Sequence, residues 1–370
     1  NGIKISRTVL TVEEIEKYSN QLRESLDLNN VNSYKDIKSF PIQISQKLYK
    51  ELISEFEDDL DEIKHLFIVP TYKMHSIPFS TLVDNSYKFN KTSYKSTPWL
   101  INKHSISILP SINSLKIFRT LKNDEYFNNS LNTFVGIGNP KFNGIKKENN
   151  RSEVEISFNE IFAKGALADV RLINDFSELP ETEEELKLMS LNFDENNRTI
   201  LTREDANETQ IKNMDLSNSD VIVFSTHAVI NGEIENDEPG LILSPPPVAT
   251  EENDGILTMS EILQLKLNAD FVILSACNTA SGENNYSEPL SGLARAFFFA
   301  GAKSMLVSNW AVESQSTFEL TTTMFDNLRE KNTTRSEALQ NSMRALINSE
   351  ENEYYSHPVF WAPFILIGDR

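Results

Sequence analysis

The stretch Ala269–Gly282, ADFVILSACNTASG, has an acidic residue in second place, runs through an unbroken apolar block and ends in small polar residues and a glycine. A short continuous apolar run closed by a turn signal reads as a strand covered on both faces. The same grammar recurs at HLFIV (65–69), SISIL (105–109), TFVGIG (133–138), VIVFST (221–226), SMLVSN (304–309) and FILIG (364–368). Between the late runs lie helical faces, with Leu290, Leu293, Ala294, Phe297 and Phe298 at i, i+3, i+4 spacing in one and Leu339, Ser342, Met343 and Leu346 in another. Strands alternating with amphipathic helices predict an α/β fold, a mostly parallel sheet with helices on both faces. Residues 11–27 and 46–63 carry helical spacing before the first strand, so a helical lead-in over 1–62 is expected ahead of a sheet-bearing domain over 63–370. The polar stretch 143–153 predicts a loop or seam, with halves at 63–205 and 206–370. The tract 231–255, which holds Pro245, Pro246 and Pro247, is not expected to be regular throughout. No repeat of 20 to 50 residues is found.

Composition narrows the function. Thirty-five Lys and Arg stand against 54 Asp and Glu, a net charge of −19, which repels phosphate backbones and anionic lipid, so neither direct nucleic-acid binding nor membrane association is expected. The acidic clusters at 55–62, 181–185 and 350–353 read as solvated helix faces and ends. No apolar stretch approaches the ~18 residues of a spanning helix, and the N-terminus lacks a secretion signal, so the expected compartment is the cytoplasm. With one cysteine in 370 residues, a disulfide framework and a Cys-rich metal site are excluded. Neither a metal nor an organic cofactor is expected. The run GIGNP (136–140) lacks the lysine and spacing of a phosphate loop.

That single cysteine, Cys277, ends one apolar run, and His227 ends another, fifty residues earlier. In open α/β sheets functional groups collect beyond the carboxyl ends of the strands. If the two strands are parallel neighbours, an imidazole and a sulfur share one rim. A free thiol is only a few per cent ionised at neutral pH, so a nucleophilic cysteine needs a placed base to take its proton and later return it to a leaving amine. The segment NTASGENNY (278–286) is small and polar, open to a substrate backbone, and the amides of Cys277 and Ala228 are the candidate donors to a developing oxyanion. Taken singly, each residue has a plainer reading: a terminal strand cysteine is commonly an inert apolar filler and a histidine a satisfied polar group. Their pairing at equivalent ends favours a dyad. His75, His104 and His357 have no such partner and read as structural, and Trp310 and Trp361 as core anchors.

Eight blocks in order resemble the CHAT domain, a caspase-related family: HLFIVPTYKMHSIPFSTLVD (65–84), VGIGNPKF (135–142), VIVFSTHAV (221–229), PGLILS (239–244), DGILTMSEI (254–262), FVILSACNTASG (271–282), LSGLARAFFFAGAKSMLVSNWAV (290–312) and FWAPFILIGD (360–369). The resemblance implies a caspase-like sheet, peptide-bond hydrolysis by a cysteine thiolate, His227 and Cys277 as the catalytic pair, and a bacterial origin. Their interval matches the roughly 50 residues found in caspases. It also implies a protein substrate and a sensor or repeat region on the N-terminal side as activator, with the chain read as a piece of something longer. Two departures matter. Ala228 follows the histidine where caspases have glycine, and Ser275 stands two residues before the nucleophile where caspases carry Gln and metacaspases Asp. The residue cleaved after is therefore not legible, although the acids Asp254 and Glu288 are candidates to favour a basic side chain. Two rivals stay open: a non-catalytic caspase-like scaffold, and a small-molecule acyl-transfer enzyme, which would want a glycine-flanked nucleophile and a later histidine.

Overall fold

The computed structural model describes residues 2–28, 31, 33–88, 94–116, 131–142, 173–174, 176–229, 238–250, 252–275, 292–308, 310, 313–330 and 333–368. Its centre is an eight-stranded sheet built from β1 (His65–Ile68), β2 (Ser105–Ile108), β3 (Phe134–Pro140), β4 (Arg198–Arg203), β5 (Val221–Ser225), β9 (Phe271–Leu274), β10 (Ser304–Ser308) and β11 (Phe364–Gly368). A three-stranded sheet holds β6 (Ala228–Val229), β7 (Gly240–Ile242) and β8 (Ile256–Thr258). In space the large sheet reads β1-β2-β11-β10-β9-β5-β3-β4. Neighbours are parallel except β10 and β11, which run antiparallel, with Leu306 opposite Leu366. The carboxyl ends of β3, β4, β5, β9 and β10 therefore gather on one side, and those of β1, β2 and β11 on the other.

The pleat sorts the apolar runs into two cores, because successive side chains point to opposite faces. Val221, Val223, Phe271, Ile273 and Leu306 pack on one face with residues of the helices Val12–Glu24, Ile42–Leu52, Pro180–Ser190, Ser314–Leu328 and Arg335–Ile347. Ile222, Phe224, Val272, Leu274 and Met305 pack on the other with the helix Gly292–Ala300 and the shorter Glu208–Asn213. This is the mostly parallel, doubly covered sheet that the runs predict. Strands buried on both faces carry no polar alternation, which is why they read as solid apolar blocks.

The helical lead-in is part of the first core. Leu22, Leu26 and Leu48 are fully buried within the same cluster as Trp99, Phe134 and Trp361. The helix Val12–Glu24 begins with a capping box in which Thr11 and Glu14 satisfy each other's amides. Upstream of it the polar residues face the second helical segment: the Thr8 hydroxyl donates to Glu51 at 3.1 Å, with Ser6 on Glu55 and Lys4 on Asp59 one turn further along each time.

Several elements carry little sequence signal. β4, RTILTR, is the polar edge of the sheet, and the helix Ser314–Leu328, SQSTFELTTTMFDNL, is so rich in Thr and Ser that its helical face is faint. Tertiary packing decides both. The tract 231–255 contains β7 and the turns before β8, irregular elsewhere where it is described, whereas 143–153 lies outside the described residues.

Candidate active site

Everything at the rim starts from the end of β5. Strand pairing stops at Ser225, and the two residues that follow are tied to the small sheet instead: the Thr226 hydroxyl donates to the carbonyl of Ile242 at 2.5 Å, and the amide of Ile242 donates to the carbonyl of His227 at 2.9 Å. Ala228 and Val229 continue as β6, antiparallel to β7. The backbone that carries the imidazole is thus fixed on both sides by hydrogen bonds made to a separate sheet.

His227 is 7% exposed. Its ring lies 5.1 Å from the ring of Phe176 and 6.1 Å from that of Phe142, in a small apolar cluster with Ile173, Val229, Ile242 and Ile256. Its Nε2 stands 2.9 Å from the carbonyl oxygen of Ser177. A carbonyl only accepts, so Nε2 carries the proton and Nδ1 is the basic nitrogen of the neutral ring. Nδ1 is buried and has no hydrogen-bond partner among the described residues. Burial holds the imidazole below the ordinary histidine range, against the opposing pull of the Ser177 carbonyl and of Glu181.

The neighbouring strand is β9. Phe224 is level with Leu274, and the amide of Ser275 donates to the carbonyl of Phe224 at 2.9 Å, so the ladder extends one residue past the assigned strand. Ser275 is buried there, beside the exit of β5. The adjacency and parallel sense of the two strands meet the geometric condition that the sequence sets. Cys277 and Glu288 lie outside the described residues.

Asp254 sits in the turn that leads into the small sheet, two residues before Ile256, which pairs with Ile242. Its Oδ1 accepts the amide of Ile256 at 3.0 Å, and the residue is 8% exposed. The turn around it is held by Glu208, whose Oε2 accepts the amides of Asp254 at 2.8 Å and Gly255 at 2.5 Å, while Lys212 Nζ reaches Glu208 Oε1 at 2.8 Å and Glu261 Oε1 at 2.6 Å. Burial raises the Glu208 carboxyl, and Lys212 and the Gly255 amide pull it back.

The other histidines and tryptophans sit away from β5. His104 Nδ1 donates to the carbonyl of Ile63 at 2.6 Å. His357 Nε2 donates to the carbonyl of Lys38 at 3.0 Å while Nδ1 accepts the amide of Val359 at 3.1 Å. His75 lines a cavity of about 30 Å³ with Ile77, Ile106, Ile108 and Leu339. Trp361 is fully buried edge-on to Trp99, and Trp310, partly buried beyond β10, lies under the guanidinium of Arg23 at 5.5 Å. Among the described residues no group of three or more His, Cys, Asp or Glu is placed to hold a metal ion, and no helix is long and apolar enough to cross a membrane.

The CHAT domain family matches residues 43–369. The chain belongs to the CHAT family. A stretch of 113 residues is 32% identical to tetratricopeptide repeat protein 28 of Mus musculus, covering 30% of this chain and 4% of that one. Among solved structures, gingipain R (RgpB) of Porphyromonas gingivalis, an Arg-specific cysteine proteinase, aligns over 96% of this chain and 75% of its own, with a TM-score of 0.49 and 13% identity. The separase chain of the Saccharomyces cerevisiae separase–securin complex aligns over 98% of this chain and 23% of its own, with a TM-score of 0.44 and 14% identity. This CHAT domain is an α/β unit with a mostly parallel sheet covered on both faces.

Ser177, Phe176, Phe142 and Glu208 were not legible as site residues. Ser177 contributes a main-chain carbonyl, which any residue type would supply, and the aromatic pair reads in sequence as ordinary apolar filling.

Proposed function

We propose that this CHAT domain is a cysteine endopeptidase in which Cys277 is the nucleophile and His227 the general base. The observation that supports it most directly is the state of the His227 ring: Nε2 committed to the Ser177 carbonyl, Nδ1 basic, buried and unpartnered among the described residues, at the carboxyl end of the strand beside the one that leads to Cys277. A buried basic nitrogen calls for a donor, and on this reading the Cys277 thiol is that donor.

On this reading Nδ1 takes the Cys277 proton, Sγ attacks the scissile carbonyl carbon, and the carbonyl π electrons move to oxygen, forming an oxyanion to which the amides of Ala228 and Cys277 donate hydrogen bonds. The imidazolium then protonates the leaving amine as the C–N bond breaks, giving a thioester. Water, deprotonated by the same nitrogen, attacks the thioester and returns the thiol. The thiolate and the imidazole carry every step, so the reaction calls for no metal or organic cofactor.

The substrate is read as a protein, since the apolar and small polar surroundings of the rim suit an extended backbone. Ser275 is assigned to the floor of the specificity pocket, without a fixed charge, and Asp254 and Glu288 to a preference for a basic side chain. The partial likeness to a tetratricopeptide repeat protein supports activation by a repeat-bearing sensor region or partner, and the acidic net charge supports a protein that binds neither nucleic acid nor membrane directly; the compartment assumed in this reading is the cytoplasm. The second reading is a non-catalytic scaffold of the same fold, favoured by the deep burial of the His227 ring.

A peptide-library cleavage assay decides between them. Wild type should cut, and Cys277→Ala and His227→Ala should each lose at least ~1000-fold. A peptide electrophile should label Cys277 rapidly in the wild type and slowly in His227→Ala. Equal cutting by wild type and Cys277→Ala would end the endopeptidase reading and leave the scaffold.

A further inference from the structure

Beneath the rim lies a buried carboxyl that the proposed chemistry does not use. Glu185, on the inward face of the helix Pro180–Ser190, is 4% exposed, between the fully buried Ser225 at the end of β5 and Thr321 on the helix Ser314–Leu328. Its Oε2 is 3.3 Å from the Ser225 hydroxyl and its Oε1 2.9 Å from the Thr321 hydroxyl.

Burial and the two hydroxyls around it bear on its state. The Thr321 hydroxyl has one hydrogen and two close acceptors, Glu185 Oε1 at 2.9 Å and the carbonyl of Thr317 at 2.8 Å. It cannot serve both. If Glu185 carries a proton on Oε1, that proton goes to Thr321 Oγ1, the threonine hydrogen goes to the Thr317 carbonyl, and Ser225 donates to Oε2. All three groups are then satisfied. The Thr317 carbonyl also takes the intrahelical amide of Thr321, so the hydroxyls can serve either form, and what weighs against the ionised one is a buried charge without a cationic partner.

The charged groups around it give no compensation. On its own helix Glu181 is a like charge, and Glu183 is bonded to Lys187 and to the Asn139 side chain. β3 and β5 contain no ionisable residue, and His227 lies beyond the end of β5. On β4, Arg198 binds the carbonyl of Ser190 and Arg203 binds Glu178. The helix Ser314–Leu328 offers only the acids Glu319 and Asp326, with Glu313 at its cap. Burial, first of all, pushes the Glu185 carboxyl up to about 7 against the two hydroxyl bonds.

The packing transmits this state to the rim. A Cβ added at Gly138 of β3 would lie 2.8 Å from both a Leu186 methyl and the Ser225 carbonyl oxygen, so helix, β3 and the end of β5 meet without slack. We propose that Glu185 is held as a neutral acid and acts through Ser225 as a positioning residue that sets the exit of β5, and with it the placement of His227. Ionisation withdraws the proton that closes the network and loosens that exit. The proposal deepens the endopeptidase reading and rests on it for its effect on rate.

The test is an ¹⁵N titration of the His227 imidazole on the full 370-residue chain, in the wild type and in Glu185→Gln, which keeps a neutral donor and acceptor. In the wild type the His227 shifts should bend near pH 7 and settle at a new value above it. In Glu185→Gln they should stay at their pH 6 position up to pH 9. The rate of peptide cleavage should fall on the order of tenfold between pH 6 and 9 in the wild type relative to Glu185→Gln. A wild-type His227 signal with no inflection near pH 7 overturns the proposal whether or not the variant folds, and identical curves in both proteins do the same. The imidazole signal needs no cleavage, so its failure is distinguishable from failure of the peptidase reading.

Discussion

The Nε2 of His227 and the carbonyl of Ser177, fifty residues apart in sequence, are 2.9 Å apart in the fold. The partner being an obligate acceptor, the neutral ring is locked as the Nε2–H tautomer. Its ¹⁵N spectrum at pH 7.5 should show a protonated Nε2 and a bare Nδ1. Because burial depresses the imidazole, that pattern should persist below pH 6.5, where an exposed histidine is already half charged. Conversion with an ordinary midpoint would show that the ring is solvated.

Glu208 holds the turn that carries Asp254, through two amides and one ammonium. Glu208→Ala leaves the two buried amides without their acceptor. It should lower stability in urea by about 3 kcal/mol, whereas Glu208→Gln, which keeps one acceptor, should lose about half as much. Equal losses would mean that one neutral acceptor recovers nothing and that the charge and second oxygen hold the turn.

At Gly301, just past the helix Gly292–Ala300, φ is +120° and an added Cβ would sit 2.1 Å from the Leu267 carbonyl oxygen. The amide of Leu267 is bonded to the carbonyl of Ala300 at 2.8 Å, so the two segments cannot part cheaply. Gly301→Ala should cost about 3 kcal/mol or more, seen as a drop in Tm. Gly2→Ala, with open space around the new methyl, should leave Tm unchanged.

His357 caps a helical turn with one nitrogen and binds Lys38 with the other, and burial pushes it down to about 4. The folded state binds this proton more weakly than the unfolded one. Its stabilising share is therefore whole above pH 6.5 and lost as pH falls toward 4, about 3 kcal/mol in all. His357→Asn keeps a capping acceptor and does not titrate. Denaturant midpoints measured from pH 7 to 4 should fall more steeply in wild type than in this variant.

How much of this could be read beforehand follows burial. Strands covered on both faces, such as VIVFS and FVIL, announce themselves because nothing polar can sit there. RTILTR, at the sheet edge, has one side half in water and gives no clear period. The site divides the same way. His227, the proposed base, stands out in the sequence because its chemistry resides in a side chain. Ser177 does not, because its contribution is a main-chain atom. Glu185 stood in a run of glutamates, PETEEEL, whose bland interpretation is a wet helix face. Only the fold reveals that one of the run turns inward, since helical periodicity in an acidic stretch carries no apolar contrast.

The family match starts at residue 43, yet Leu10, Ile15, Leu22, Leu26 and Phe40 are already interior to the fold. Biochemists who trim the protein to the family's limits would unroof that interior, since Leu48, Leu82 and Trp99 lose their cover. The resulting fragment should be sticky and prone to precipitate, and silence from it in a cleavage assay would report a damaged scaffold and nothing about Cys277.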